Sequence, residues 1–352
     1  GYTRTMDVAP SPALLALHDG AAGNRRQALA LAEILGLPVD ELVLQPRLPW
    51  RWAAPRILPA SERAFGPAFA ARLADPPLLA VGCGRQAALA TRLLRARGTR
   101  VVQVLHPRLP AAHWDALVLP EHDGVPEGGN CHTLRGSLNP IDDAWLAAAR
   151  AERPDLGLRA APRTVLLVGG PTDASDWDGK TLESALELLL RWQARDGGEL
   201  AVLCSRRTPR GLRRQLAQGL AGRAEVWTGD SDGPNPYASR LAWADRVVVT
   251  PDSANLISEA AATRAPMWIA FPRYTRGRLR TLVEAAIDGG RARPLGPDAA
   301  AWPVQPWRER ERVAERLQPL VREALGRRDQ GPSTAPPDDS AGSSAAMTSA
   351  AG

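Results

Sequence analysis

Lysine is almost missing from this chain. Lys180 is the one lysine among 44 basic residues in 352, and the rest are arginine. Cysteine, methionine, phenylalanine and tyrosine occur three times each. Cys83, Cys131 and Cys204 are widely spaced and form no CxxC pair, which excludes zinc-finger spacing and a disulfide framework and fits a reducing compartment. Cys83 and Cys204 end apolar runs, as small core residues do. No apolar run approaches the ~20 residues of a membrane span. Residues 13–17 form only a short apolar run without signal-peptide layout. The expected location is the cytoplasm, with peripheral contact at the inner face of the membrane.

Hydrophobic residues make up 44% of the chain, enough for two ordinary domains with sizeable cores. The net charge is +6 and the isoelectric point about 10.0. Most of the arginine reads as a coding bias shared with alanine, glycine and proline. A few clusters suit planar recognition of phosphate or carboxylate. Basic charge alone attracts nucleotides, anionic lipid or nucleic acid without choosing among them.

The chain opens as strand, glycine-containing turn and helix. Ala28, Leu31, Ala32 and Leu35 recur at i, i+3, i+4 and i+7, with Asn24 as a cap and Gly36 as a stop. Short apolar runs at 39–44, 78–81, 100–105 and 116–119 read as strands. Residues 137–162 carry Pro140, Pro154 and Pro162 around a short helix near 142–150 and read as a linker. The alternation restarts with strands at 164–168, 199–204, 224–227, 246–250 and 267–271, each followed by a helix. Strands alternating with helices predict parallel sheets covered on both faces. The predicted fold is α/β, with two doubly wound, Rossmann-like domains and a cleft between them. Expected limits are a flexible N-terminus at 1–12, an acceptor-side domain at 13–136, the linker at 137–162 and a nucleotide-diphosphate domain at 163–300. A C-terminal helix at 301–326 packs back across the first domain, and a disordered tail covers 327–352.

Three segments of the second domain follow predicted strands. Thr250-Pro251-Asp252-Ser253-Ala254-Asn255, then Ser258-Glu259, opens a helix whose first N–H groups favour phosphate. Asp252 or Ser253 caps it, Asn255 sits in its first turn, and Glu259 is placed to accept from ribose hydroxyls. Gly169-Gly170-Pro171-Thr172 lets a backbone approach phosphate closely. Ser205-Arg206-Arg207-Thr208 offers a diphosphate clamp. Each motif also has a plain reading, as a capped helix, a turn or a solvated basic loop. Their shared position, outside the carboxyl ends of parallel strands, turns all three toward one crevice. In the first domain, Asp19, Gly20, Gly23 and Asn24 follow the opening strand, and His122 follows the strand ending at Leu119. Asp19 or His122 is the candidate base for an acceptor hydroxyl, against plain roles as a cap or turn. Leu48-Pro49-Trp50-Arg51-Trp52 lies in a stretch, 42–61, without acidic residues. That composition suits a membrane interface, a partner groove or a stacked base, or else a packed proline-rich loop.

This ordered set of motifs, with Asn235-Pro236-Tyr237 and Pro120-Glu121-His122-Asp123, resembles the elongated-mitochondria (mitochondrial fission) protein family over residues 13–295. The second half also resembles the nucleotide-sugar domain of MurG-type GT-B glycosyltransferases. Glu259, Pro266 and Pro272 fit their pattern, and Arg264 stands where they carry glycine. The resemblance implies a GT-B fold, a ribose-holding role for Glu259, and an acceptor-side loop at Gly20 and Gly23. It implies transfer from a nucleotide-diphosphate sugar to an acceptor, lipid-linked or otherwise, without a bound metal or other cofactor. It leaves two alternatives open. One is a non-catalytic scaffold, as the plant member's link to recruiting a dynamin-related protein implies. The other is a nucleotide-sugar epimerase, since some such epimerases share the fold. No nucleic-acid partner is expected.

Overall fold

The computed structural model describes residues 13–329. The expected flexible N-terminus at 1–12, and residues 330–352 of the expected tail, lie outside the described residues. In the first half the strands are β1 (Leu14–His18), β2 (Val39–Val43), β3 (Leu79–Cys83), β4 (Arg100–Val104), β5 (Ala116–Pro120) and β6 (Cys131–Leu134). Helices α1 (Ala22–Ile34), α2 (Trp50–Ala53), α3 (Gly66–Ala74), α4 (Arg85–Arg95) and α5 (Asp143–Glu152) accompany them. The second half holds β7 (Arg163–Val168), β8 (Glu199–Cys204), β9 (Glu225–Trp227), β10 (Arg246–Val249), β11 (Met267–Ile269) and β12 (Ala292–Pro294). Its helices are α6 (Gly179–Asp196), α7 (Arg210–Gly219), α8 (Tyr237–Trp243), α9 (Ala254–Ala261), α10 (Gly277–Asp288) and α11 (Glu309–Asp329).

Among the described residues the strands form two six-stranded sheets, ordered β2-β1-β3-β4-β5-β6 and β12-β11-β10-β7-β8-β9. Every pairing is parallel. The central strands β1, β3, β7 and β10 are buried along almost their whole length, which is why they read as unbroken apolar runs. Each sheet reverses direction once, between β1 and β3 and between β7 and β10. At such a switch point neighbouring connections leave toward opposite faces and open a crevice at the strands' carboxyl ends.

Two edge strands escape the sequence pattern. β6 (Cys-His-Thr-Leu) and β12 (Ala-Arg-Pro) contain no apolar run, and the sheets recruit them through backbone pairing. The helix expected within 137–162 is α5, whose first turn is capped by Asp142 accepting from the Trp145 N–H at 2.7 Å. Ile141, Leu146 and Ala149 pack into the core of the second half.

The last helix starts later than its polar pattern indicates, at Glu309, and continues to Asp329, so residues 327–329 are helical rather than tail. It returns to the first half. Val313, Ala314, Leu317 and Val321 join Leu14, Leu31 and Val102 in one core. Arg100 pairs with Glu323 and Arg316 with Glu127 at its flanks. Its first residue, Glu309, is buried and accepts from the Arg135 backbone N–H at 3.0 Å and from the Arg135 Nε at 2.8 Å. Among the described residues no helix is long and apolar enough to cross a membrane.

Candidate functional site

The two switch points face each other. On the second-domain side three loops leave the ends of β7, β8 and β10 and meet on Asp252, whose side chain is fully buried. Asp252 Oδ2 accepts from the Gly170 N–H at 2.9 Å and from Arg207 Nη2 at 2.8 Å. Its Oδ1 accepts from the Trp177 indole at 3.2 Å. Thr250 Oγ1 accepts from the Gly169 N–H at 2.8 Å, and Thr208 Oγ1 donates toward the Gly169 carbonyl at 2.6 Å. This packing explains the glycine pair. A Cβ on Gly169 would stand 1.9 Å from Asp252 Oδ2, and one on Gly170 would stand 2.2 Å from the Arg207 carbonyl oxygen. Gly169 and Gly170 therefore let loops approach one another and do not line the cavity below. Thr172 is turned into a tight bridge with Ser175, its Oγ1 accepting from the Ser175 N–H at 3.1 Å.

The loop after β8 is held by Arg213, which donates to the Ser205 and Thr208 carbonyls at 2.8 Å and to the Arg206 carbonyl at 2.9 Å. Arg207 is spent on Asp252. Arg206 is exposed, and its guanidinium makes no hydrogen bond or ion pair among the described residues. Ser253 caps α9 by accepting from the Leu256 N–H at 3.3 Å.

Glu259 lies six residues after Ser253 on α9 and is 2% exposed. Its two oxygens are both engaged. Oε1 accepts from Arg26 of the first domain, and Oε2 accepts from the Tyr237 hydroxyl. Burial opposes the charge on Arg26, but the Glu259 carboxylate outweighs it and the guanidinium pKa is raised. The Tyr237 hydroxyl is pushed well above its ordinary range, first by burial and then by the Glu259 charge.

The first-domain side is built on His18, which is fully buried at the end of β1. His18 Nδ1 accepts from the Gly20 N–H at 3.0 Å, so the ring proton belongs to Nε2, which faces Glu41 Oε1 at 2.9 Å. Asp19 Oδ1 accepts from the Ala21 N–H and from Asn24 Nδ2, both at 3.0 Å. Asp19 and Asn24 thus shape the turn into α1. Gly23 faces the second domain so closely that a Cβ there would stand 2.6 Å from Asn255 Nδ2.

His122 sits in a short 3-10 turn, Glu121–Asp123, after β5. Its Nδ1 is buried without a hydrogen-bond partner among the described residues. Burial, chiefly, holds its pKa below the ordinary histidine value; Asp123 pulls it up and Arg278 pushes it down. Asp123 pairs with Arg278 of α10 at 3.0 Å, a second ionic contact between the domains.

Between the switch points lies a cavity of about 580 Å³, within the size range of small-molecule sites. Of the residues predicted from sequence, Gly23, Ser205, Arg206, Arg207, Asp252, Ser253, Asn255 and Glu259 line it. Gly20 lines an adjoining cavity of about 460 Å³ that shares Arg26 and Arg206. Asp19, Asn24, Gly169, Gly170, Thr172 and His122 line neither cavity. The sequence reading did not single out Arg26, Trp177 or Trp227 as site residues. It placed Asn235 and Tyr237 only within a family motif. Arg26 looks like any polar-face residue of an amphipathic helix, and nothing local marks it.

Two Rossmann-like domains that meet at their switch points around such a cavity define a GT-B fold. The sequence profile of the mitochondrial fission ELM1 family matches residues 22–320, so the chain belongs to that family. Mitochondrial fission protein ELM1 of Arabidopsis thaliana is 26% identical over 272 residues, covering 69% of this chain and 64% of the plant protein. An uncharacterised protein of Rickettsia prowazekii (strain Madrid E) is 24% identical over 279 residues, covering 68% of this chain and 78% of that protein. Among solved structures, UDP-GlcNAc 2-epimerase from Methanocaldococcus jannaschii superposes with a TM-score of 0.54 at 13% identity, covering 86% of this chain and 99% of that one. That likeness is one of fold.

Proposed function

We propose that this protein binds a nucleoside-diphosphate sugar in the cavity between its domains and transfers the sugar to an acceptor. The carrying observation is the pairing, across one cavity, of a buried carboxylate, Glu259, with a cation, Arg206, that has no partner among the described residues, beside the start of α9. A nucleotide sugar needs that set: an acceptor for ribose hydroxyls, and positive charge for a diphosphate. The name of the archaeal epimerase, a fold relative acting on UDP-GlcNAc, supports the same ligand class.

In this reading Arg206 and the first N–H groups of α9 receive the diphosphate as the bond from the sugar C1 to phosphate oxygen breaks. The new bond forms from the acceptor oxygen to C1, and the acceptor proton passes to a base. His122 is the candidate carried over from the sequence: it lines neither cavity, but burial lowers its pKa and its Nδ1 has no hydrogen-bond partner among the described residues. Asp19 is committed to its turn. Asp252, Gly169 and Gly170 hold the loops that carry the charged groups. A lipid-linked acceptor agrees with the surface described below.

A second reading, a scaffold without turnover, is favoured by one observation. Arg26 and Tyr237 already occupy both oxygens of Glu259. An epimerase would instead turn over the donor with no acceptor present. The test is calorimetric titration of the wild type and Glu259→Ala with UDP, GDP, ADP, CMP and dTDP sugars. Binding of one nucleotide class, lost in the variant, supports the donor site. No binding by any member sinks it and leaves the scaffold. Product formed from donor alone points to epimerisation.

A further inference from the structure

Among the described residues the exposed large apolar side chains are Val43, Leu48, Trp52, Ile57, Leu158 and Leu325. The first four lie within fifteen residues of sequence, at the end of β2 and in the segment after it. Leu48 is 56% exposed, Trp52 74% and Ile57 48%. Each of these three directly follows an exposed arginine, in the pairs Arg47-Leu48, Arg51-Trp52 and Arg56-Ile57. The three guanidinium groups make no ion pair among the described residues, and no acidic residue occurs from 42 to 61.

The segment is firmly mounted. Trp50 turns inward against the first-domain core and donates its indole N–H to the Pro59 carbonyl at 3.1 Å. The Arg51 carbonyl accepts from Gln86 at 3.0 Å, and the Pro55 carbonyl accepts from Arg92 at 2.7 Å. The Arg47 N–H donates to the Ala64 carbonyl at 2.8 Å. Trp50 and Trp52 therefore divide the work: one anchors the loop, and the other is presented to solvent.

We infer that this face docks on an anionic lipid bilayer. A protein interface concentrates apolar residues at a core depleted of charge. Here cations alternate with apolar side chains, an arrangement that matches a headgroup layer. The apolar groups enter the acyl boundary, and the arginines stay level with lipid phosphates. Tryptophan favours that boundary, and each arginine adds attraction to an anionic surface. Val43 links the patch to the cleft, because a Cβ on Gly20 would stand 3.4 Å from Val43 Cγ1. Docking would place the first-domain loop of the cavity close to the membrane. The inference stands on the surface alone and does not require nucleotide binding.

The experiment is vesicle flotation of the full chain with phosphatidylcholine alone and with equal parts phosphatidylcholine and phosphatidylglycerol. The variants are Leu48→Ser/Trp52→Ser/Ile57→Ser, Arg47→Gln/Arg51→Gln/Arg56→Gln, and Leu158→Ser as a control remote in sequence. All substituted side chains are exposed, and thermal melts check that folding is retained. Wild type and the control should float with the anionic vesicles and not with phosphatidylcholine alone. The apolar triple variant should lose about tenfold or more in partitioning, and each arginine removed about fivefold. Wild type that stays unbound, or a folded apolar variant that floats like wild type, overturns the inference. Self-association of unbound wild type that the apolar variant abolishes assigns the patch to a second copy of the chain instead.

Discussion

Arg26 and Glu259, 233 residues apart, form an ion pair that bridges the two domains at the cavity. The carboxylate is buried, whereas the Arg26 side chain keeps 43% of its exposure. The group proposed to hold a ribose is thus held by the opposite domain in this structure. A ribose bound as proposed would compete with Arg26 and Tyr237 for the two carboxylate oxygens.

Replacing Arg26 with methionine should tighten nucleotide binding about threefold to tenfold, because the competing donor is gone. The same change should lower stability by about 1–2 kcal/mol, less than for a fully buried pair because water reaches Arg26. Calorimetry and urea unfolding read the two effects. Weaker binding by Arg26→Met would show that Arg26 itself contacts the ligand.

Asp252 ties three loops together, so Asp252→Ala should destabilise by about 3 kcal/mol and abolish nucleotide binding together. Gly169→Ala should cost about 2 kcal/mol or more, since its methyl collides with that carboxylate. Gly211→Ala, where nothing lies within 4 Å, should be neutral or stabilising by about 0.5 kcal/mol. Equal stabilities for the two alanine variants would show that the loop contact has slack.

His122 should titrate below the ordinary histidine value of about 6.5. Arg278→Gln removes a cation that disfavours the imidazolium, so the His122 pKa should rise in that variant. NMR titration of the ring checks both. Where the proposed transfer is measured, its acidic limb should follow the same pKa upward in Arg278→Gln. A limb that does not move assigns the base elsewhere.

Burial alone would raise the Glu309 pKa, but hydrogen bonds from Arg312 and Arg135 overcome it and the net shift is downward. The folded carboxyl then takes its proton less readily than the unfolded one. Its stabilisation is complete above the ordinary glutamate value of about 4.3, and is lost as pH falls through the lower folded value. Unfolding measured across that acidic range should show a shallower pH dependence in Glu309→Gln. Identical slopes would remove Glu309 from the account of how α11 is held.

Much of this molecule was legible locally. Central strands buried on both faces must be apolar throughout, so β1, β3, β7 and β10 announce themselves. The helices between them carry a 3.6-residue period, and alternation of the two implies parallel sheets. Segments that follow such strands reach the crevice by topology, which is why position alone pointed to Arg206, Ser253 and Glu259, all of which line the cavity. β6 and β12 were hidden, because an edge strand needs only backbone partners and its side chains carry little pattern.

The sequence by itself determined the two α/β units, the order of their apolar strands and the helices between them, and the residue types offered at those strand ends. Only the tertiary structure decided how those residues are used. It spent Asp252 and the glycines on loop packing and turned Asp19 into its own helix's entrance. It left Arg206 without a partner among the described residues and set Arg26 and Tyr237 on Glu259. The reason is physical. Periodicity and capping act over a few residues, whereas ion pairs and close approaches between distant loops exist only after the sheets have formed and the domains have met.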